Sequence, residues 1–283
     1  MKTLRTVGAV REHVRAARAA GRAIGLVPTM GAFHDGHLSL IRAARAACDE
    51  VVVWLFVNPS QFDEAADLAA YPRREAEDAA LAAREGADVL FAPAAEEVYP
   101  PGFATTVNVA GLGDVLEGAH RPGHFAGVAT VVTKMLNMVA PDVAFFGRKD
   151  AQQLALVRRL VRDLDVPVRI EALPIVRDPD GLAMSSRNAR LSPDERRRAL
   201  ALHRGLRAAE AAFAAGERDP ARLRAAVGAQ LDGVDAEYVA LVDPDTFRPL
   251  DAVDGRVLVA VAARVGATRL IDNLEITTES SPR

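Results

Sequence analysis

Cysteine occurs once in the 283 residues, at Cys48. A lone thiol closes no internal disulfide, so the sequence fits a reducing compartment, and Cys48 reads as a buried structural thiol in an apolar-periodic stretch rather than a nucleophile. An excess of charge of one sign is also lacking, because 35 basic residues stand against 38 acidic ones for a formal net charge of −3. No global positive field is available to release counterions from a phosphate backbone, which removes nucleic acid as the expected main partner. Long apolar runs are missing: residues 51–57 form a typical one, far short of the roughly 20 needed to cross a bilayer. Residues 1–22 mix Arg, Glu and His with Ala where a signal peptide would carry an apolar centre, so the expected location is cytoplasmic. Internal repeats and low-complexity segments are absent as well.

What is present is a globular balance, 50% hydrophobic and 26% charged, in a chain longer than the roughly 100–200 residues of a typical domain. Two domains are expected. Short β-branched or apolar runs at 24–27, 51–57, 88–91, 143–146 and 168–172 alternate with helical-period segments at 38–47, 74–84, 128–138 and 151–163. This is the pattern of βαβ units around a parallel sheet, an α/β fold. Arg177-Asp178-Pro179-Asp180-Gly181 is turn chemistry, and the pattern changes beyond it, which places a boundary between domains 1–176 and 177–283. Ser192-Pro193-Asp194-Glu195 offers an N-cap, a proline in the first turn and a capping-box glutamate, so a helix is expected from there to about 215. A second helical stretch at 221–231 and strands at 238–242, 257–262 and 270–276 complete a smaller C-terminal α+β domain, with a polar tail expected to fray.

The chemistry concentrates where strands give way to helices. Pro28-Thr29-Met30-Gly31-Ala32-Phe33-His34-Asp35-Gly36-His37-Leu38 follows the first predicted strand of that series, and a helix N-terminus at such a point presents N–H groups to an anion. His34 and His37 can donate to phosphate oxygens and stabilise charge on departing pyrophosphate. The same spacing also fits a metal pair or two surface histidines near a turn. Phe145-Phe146-Gly147-Arg148-Lys149-Asp150-Ala151-Gln152-Gln153-Leu154 repeats the geometry: Lys149 offers charge to phosphate, Asp150 an acceptor to ribose, Gln153 an amide to a carboxylate or hydroxyl. Taken alone, Lys149 and Asp150 fit equally as helix-end charges. Met184-Ser185-Ser186-Arg187-Asn188 can grip a triphosphate or be a solvated turn. At the end of the second strand of the series, Gln61 can hold a carboxylate without the clamp of an arginine, although Asn58-Pro59 with Gln61 also fits a plain turn. His120-Arg121-Pro122-Gly123-His124 reads as a subunit contact or a loop packed near the site rather than a catalytic element.

The string from Pro28 to Leu40 resembles the His-x-Gly-His nucleotidylyltransferase superfamily and, within it, the pantothenate synthetase family. That similarity runs nearly end to end and is strongest from residues 25 to 191. The resemblance implies a Rossmann-like N-terminal domain with helices on both faces of its sheet, a smaller C-terminal lid domain, a homodimer, and Mg2+-ATP as cosubstrate with no tightly bound organic cofactor. It implies an ATP-binding set of Met30, Gly31, Ala32, Phe33, His34, Asp35, Gly36, His37, Gly147, Arg148, Lys149, Asp150, Val176, Met184, Ser185, Ser186 and Arg187. His37 stands in the proton donor's place with His34 beside it, and Lys149 on phosphate. Gln61 and Gln153 match pantoate-binding positions, and Gln61 also a β-alanine contact. Glu77 and Asp78 fall where the family has acidic residues linked to magnesium, although a solvated helix face explains them too. Residues 184–187 look like the counterpart of a mobile loop that closes over ATP and shields a hydrolysable acyl-adenylate. The implied reaction joins pantoate to β-alanine through a pantoyl-adenylate. The alternatives are another nucleotidylyltransferase of the superfamily and a catalytically silent nucleotide-binding protein. The sequence departs from the family pattern at Phe33, Ser60, Asp63, Arg148 and Ala151.

Overall fold

The alternation of apolar runs and amphipathic segments becomes a six-stranded parallel sheet flanked by helices in the computed structural model, which describes residues 1–62 and 65–277. Asp63 and the tail beyond Thr277 lie outside the described residues. In chain order the elements are β1 (Lys2–Leu4), α1 (Val7–Ala19), β2 (Ile24–Thr29), α2 (Asp35–Ala47), β3 (Glu50–Leu55), α3 (Ala65–Ala70), α4 (Glu75–Arg84), β4 (Val89–Phe91), α5 (Ala95–Val98), α6 (Glu117–His120), α7 (His124–Val139), β5 (Val143–Gly147), α8 (Ala151–Asp163) and β6 (Arg169–Leu173). Then come α9 (Pro193–Ala214), α10 (Pro220–Gly228), β7 (Asp235–Val242), β8 (Arg256–Val265) and β9 (Thr268–Thr277). The chain divides into two compact units, one of Met1–Arg148 with Leu156–Pro174, the other of Lys149–Ala155 with Ile175–Arg283.

In the first unit the strand order is β1-β4-β3-β2-β5-β6, every neighbouring pair parallel. From β2 the chain steps outward through β3 to β4 on one side, then crosses to β5 and β6 on the other. Right-handed crossovers therefore put α2 and α4 on one face and α1 and α7 on the opposite face, which is the Rossmann-like, doubly wound arrangement. The reversal between β2 and β5 leaves a crevice beyond their carboxyl ends, flanked by the loop after Thr29 and by Gly147. Strands β2, β3 and β4 are buried along almost their whole length, as a sheet covered on both faces requires. Residues 1–22, considered in the sequence only for an export signal, supply the edge strand β1 and the helix α1. Cys48 is buried at the end of α2. No described helix is long and apolar enough to cross a membrane.

The second unit packs α9 and α10 against an antiparallel sheet β7-β8-β9. Helix α9 starts on the capping box read from its sequence: the Ser192 N–H donates to Glu195 Oε2 at 2.8 Å and the Glu195 N–H to Ser192 Oγ at 3.3 Å. Its stripe of Leu202, Leu206, Ala209 and Phe213 enters the core of this unit, the three- and four-residue spacing that places side chains on one helical face.

In the first unit, β3 is tied to α1 by a buried acid. Glu50 accepts hydrogen bonds from His13 Nε2 at 2.6 Å and from Arg22 at 2.9 Å. Burial pushes its carboxyl up, but the two bonds outweigh burial and hold it below the ordinary glutamate value of 4.5. Its stabilising contribution is therefore complete above that value and is lost as pH falls through the lower folded value. Glu50→Gln is expected to unfold at lower urea than the parent at neutral pH, with the two midpoints converging as pH falls from 4.5 through the lower folded value. Midpoints that stay the same distance apart from neutral to acid pH would remove Glu50 as the source.

Candidate active site

Thr29 closes β2 by donating its hydroxyl to the Trp54 carbonyl at 2.7 Å, so the chain leaves the sheet from a fixed point. Gly31 and Ala32 then turn with φ of 90° and 53°, a left-handed pair that glycine adopts freely and alanine resists. Asp78 holds this turn: its Oδ2 accepts the Ala32 N–H and its Oδ1 the Phe33 N–H, each at 2.8 Å. A Cβ at Gly31 would sit 3.0 Å from Asp78 Oδ2 and 3.0 Å from a Leu55 methyl, so glycine is needed there for space as well as for φ. Asp78 is only 1% exposed, and burial pushes its carboxyl up while the two backbone donors pull it back.

The turn delivers His34 to the N-cap of α2. Its Nδ1 accepts the Gly36 N–H at 3.1 Å, and the His34 N–H in turn points at Nδ1 of His37 at 3.4 Å. The two imidazoles lie 4.2 Å apart at 40°, with the Phe33 ring 5.4 Å from His37. A ring nitrogen that accepts a hydrogen bond carries no proton, which assigns the proton of the neutral ring to Nε2 in both histidines. Two Nε2–H donors thus stand at the N-terminus of a 13-residue helix, where partial positive charge favours an anion.

Glu77 and Asp78 have different partners. Both Asp78 oxygens are engaged by backbone N–H groups, whereas the Glu77 side chain is 69% exposed and pairs with Arg74 at 3.6 Å. Successive residues on a helix diverge, which is why the neighbours part company. Among the described residues no cluster of three or more His, Cys, Asp or Glu could hold a metal ion.

Gln61 is also held from several sides. Asn58 caps the turn Pro59–Gln61 and donates Nδ2 to Gln61 Oε1 at 3.0 Å, while Gln61 Nε2 points at Met30 Sδ at 3.3 Å. The Asn58 Oδ1 accepts from the Tyr99 hydroxyl at 2.8 Å and the Ser60 hydroxyl at 2.9 Å. The Gln61 carbonyl is bonded to His124 Nδ1 at 2.7 Å and accepts from Arg121 at 3.3 Å. Helix α7 reaches this turn closely enough that a Cβ on Gly127 would run into the Ser60 carbonyl. The motif at residues 120–124 therefore lies behind Gln61, and Tyr99 joins the same network although nothing in the sequence pointed to it. A cavity of about 800 Å³ opens on the other side of the His-loop turn, bordered by Met30, Gly31, Pro59, Arg73 and Asp78.

In the second unit, Lys149 and Asp150 lie at the start of α8, with Lys149 Nζ 3.4 Å from Asp150 Oδ1. Gln152 is buried and Gln153 half-buried. Residues 176 and 184 are joined by the Met184 N–H donating to the Val176 carbonyl at 3.0 Å. Ser185 caps the following turn, Ser186–Arg190, by accepting the Arg187 N–H at 3.2 Å.

Removing the Asp78 carboxylate strips two loop N–H groups of their acceptors, and each unsatisfied buried donor costs about 1–3 kcal/mol. Asp78→Ala is expected to be destabilised by at least about 1 kcal/mol in urea unfolding; a midpoint equal to that of the parent would show that the carboxylate does not hold the turn.

Comparison with known proteins places the whole chain. The family profile described as pantoate-beta-alanine ligase matches residues 2–275. A protein named pantothenate synthetase from Moorella thermoacetica is 53% identical over 277 residues, covering 97% of this chain and 98% of its own length. One of the same name from Cereibacter sphaeroides is 54% identical over 277 residues, covering 96% and 99%. Among solved structures, pantothenate synthetase from Thermus thermophilus superposes with a TM-score of 0.92 at 45% identity, over 98% of this chain and 100% of that one. A pantoate-beta-alanine ligase from Francisella tularensis, complexed with beta-gamma ATP and beta-alanine, gives 0.79 at 32% identity over 97% of each chain. With a whole-chain profile match and relatives more than half identical along nearly their entire length, the chain belongs to the pantoate–β-alanine ligase family.

Proposed function

We propose that the chain condenses pantoate with β-alanine to pantothenate in two steps, using ATP. The pantoate carboxylate attacks the α-phosphorus in line, the bond to the bridging oxygen breaks, and pyrophosphate leaves. The β-alanine amine then attacks the mixed anhydride, forming the amide and releasing AMP. The observation that carries this reading is the placement of His34 and His37 at the N-terminus of α2, their rings 4.2 Å apart and each Nδ1 facing a backbone N–H. Donors held ready where negative charge develops need no reorganisation as pyrophosphate departs.

In this reading residues 30–37 bind ATP, with His37 donating a proton or hydrogen bond to the leaving phosphate and His34 supporting it. Lys149 supplies positive charge to phosphate, Gly147 and Arg148 approach the nucleotide, and Asp150 accepts from ribose. Val176 contacts adenine, and Met184, Ser185, Ser186 and Arg187 grip the phosphates. Gln61 and Gln153 hold pantoate, and Gln61 also meets β-alanine. Gln61 is suited to this because its backbone is pinned by His124 and Arg121 while its amide turns toward Met30. A neutral amide binds a carboxylate without suppressing its nucleophilicity. Mg2+ is taken to arrive with ATP as part of the cosubstrate, with Glu77 and Asp78 the acidic residues that the family resemblance links to it. The lone buried Cys48 supports a reducing, cytoplasmic setting, and the family resemblance supports a homodimer.

Leaving out ATP, pantoate and β-alanine one at a time tests the reaction. AMP release is expected to need all three, and pyrophosphate–ATP exchange to need pantoate but not β-alanine. Exchange without pantoate would overturn the carboxylate as nucleophile. His37→Ala and Lys149→Ala are each expected to slow exchange by about two to four orders of magnitude, and near-parental exchange in either variant would strip that residue of its role. Gln61→Ala is expected to raise the KM for pantoate by about tenfold or more, the effect of losing roughly 1.4 kcal/mol of binding, with a smaller change in the KM for ATP. An unchanged pantoate KM would reject that assignment.

A further inference from the structure

Strand β9 carries Asp272 and Asn273 side by side, and both polar side chains are buried, 4% and 6% exposed. Alternation along a strand sends the two to opposite faces; Asn273 ends on a residue assigned above to phosphate, and Asp272 on the hairpin that leads into another such segment. Asn273 donates Nδ2 to the Lys149 carbonyl at 2.8 Å. Asp272 receives the Arg177 guanidinium through two bonds, at 2.7 Å and 2.9 Å, and its Oδ1 also accepts the Asn273 N–H at 2.8 Å. Arg177 opens a tight hairpin that closes through its bridge with Ala183, and it also donates to the Gly181 carbonyl at 3.1 Å. Residues 184–187 follow directly from the far arm of that hairpin, steadied by Asn188 donating to the Ala183 carbonyl at 3.0 Å.

We propose that Asn273 and Asp272 are positioning residues for the adenylation step, Asn273 fixing the backbone of Lys149 and Asp272, through Arg177, fixing the hairpin that carries residues 184–187. The inference rests on the phosphate roles given to those segments. Two pieces of chain far apart in sequence are thereby referred to adjacent residues of one strand, whose ten-residue register with β8 is regular. A bidentate carboxylate–guanidinium pair sets direction as well as distance, and a reacting group displaced by about an ångström can lose about a hundredfold in rate. Neither Asp272 nor Asn273 needs to touch a substrate to act in this way.

The test is a double-mutant cycle read by pantoate-dependent pyrophosphate–ATP exchange, with the parent enzyme first shown to exchange; a parent that does not exchange would count against the functional reading rather than against this inference. Asn273→Ala and, as an isosteric second variant that removes the donor without leaving a hole, Asn273→Asp are expected to lower the exchange kcat by about ten- to a hundredfold, with the pantoate KM moved by less than about threefold. In a Lys149→Ala background the same changes are expected to lower kcat by less than about twofold, because a residue that acts through Lys149 has nothing left to position. Asp272→Asn is expected to lower exchange kcat in the same range and to keep its effect in the Lys149→Ala background, since its route runs through the hairpin. Full parental exchange in the Asn273 variants, or losses that multiply with that of Lys149→Ala, would overturn the proposal.

Discussion

Two hydrogen bonds from a loop to one buried carboxylate determine the shape of the candidate site. Asp78 sits on α4, outside the histidine motif, and takes the N–H groups of Ala32 and Phe33 at the point where the backbone turns left-handed. Without that acceptor the turn after β2 would have two unpaired N–H groups and a strained alanine, and His34 would not arrive at the N-cap with its ring folded back on the helix. The cost of burying the acid is visible in the upward push on its carboxyl. Its compensation comes from the loop it organises, so packing, backbone strain and electrostatics meet in one side chain.

Much of the fold was legible in the sequence because its signals are local and periodic. The strands beginning at Ile24, Val89 and Val143 and the helix α8 fall where the apolar spacing puts them, and Ser192 with Glu195 forms the cap its spelling announces. The first strand and the first helix differ in how legible they are. Strand β1 has three residues, too short for alternation to register, whereas α1 is rich in the strong helix formers Ala and Arg and buries Val10, Val14 and Ala17 at helical spacing, a signal that was present in the sequence. Helix α7 starts four residues before its predicted position, since Gly123 in a left-handed conformation ends the preceding loop and lets His124 begin the helix.

The site was legible as strings and illegible as partnerships. His34, His37, Gln61 and Lys149 could be singled out because their residue types are chemically pointed and lie where strands end. Most of the groups that hold them could not, because Asp78, Tyr99, His124 and Asn273 reach across the fold, and such pairings leave no trace in spacing. Asp78 was legible as one of an acidic pair on a helix, but not as the acceptor of the Ala32 and Phe33 N–H groups, a partnership 46 and 45 residues apart. A cue did exist for Asn58, since asparagine ahead of Pro59 at the close of a strand has the character of a cap, and the Asn58 side chain indeed accepts the Ser60 N–H at 3.3 Å.

The mutual capping of the two imidazoles explains the choice of amino acid at those positions. Each ring accepts from the backbone at one nitrogen and can donate outward at the other, a pairing that a planar side-chain amide shares but that no cationic side chain offers. A lysine or arginine would bring more charge to an incoming anion, yet has no lone pair with which to start the helix. A lysine or arginine placed at residue 34 or 37 would therefore leave the Gly36 or the His34 N–H without its side-chain acceptor, so the start of the helix limits how cationic this spot can become.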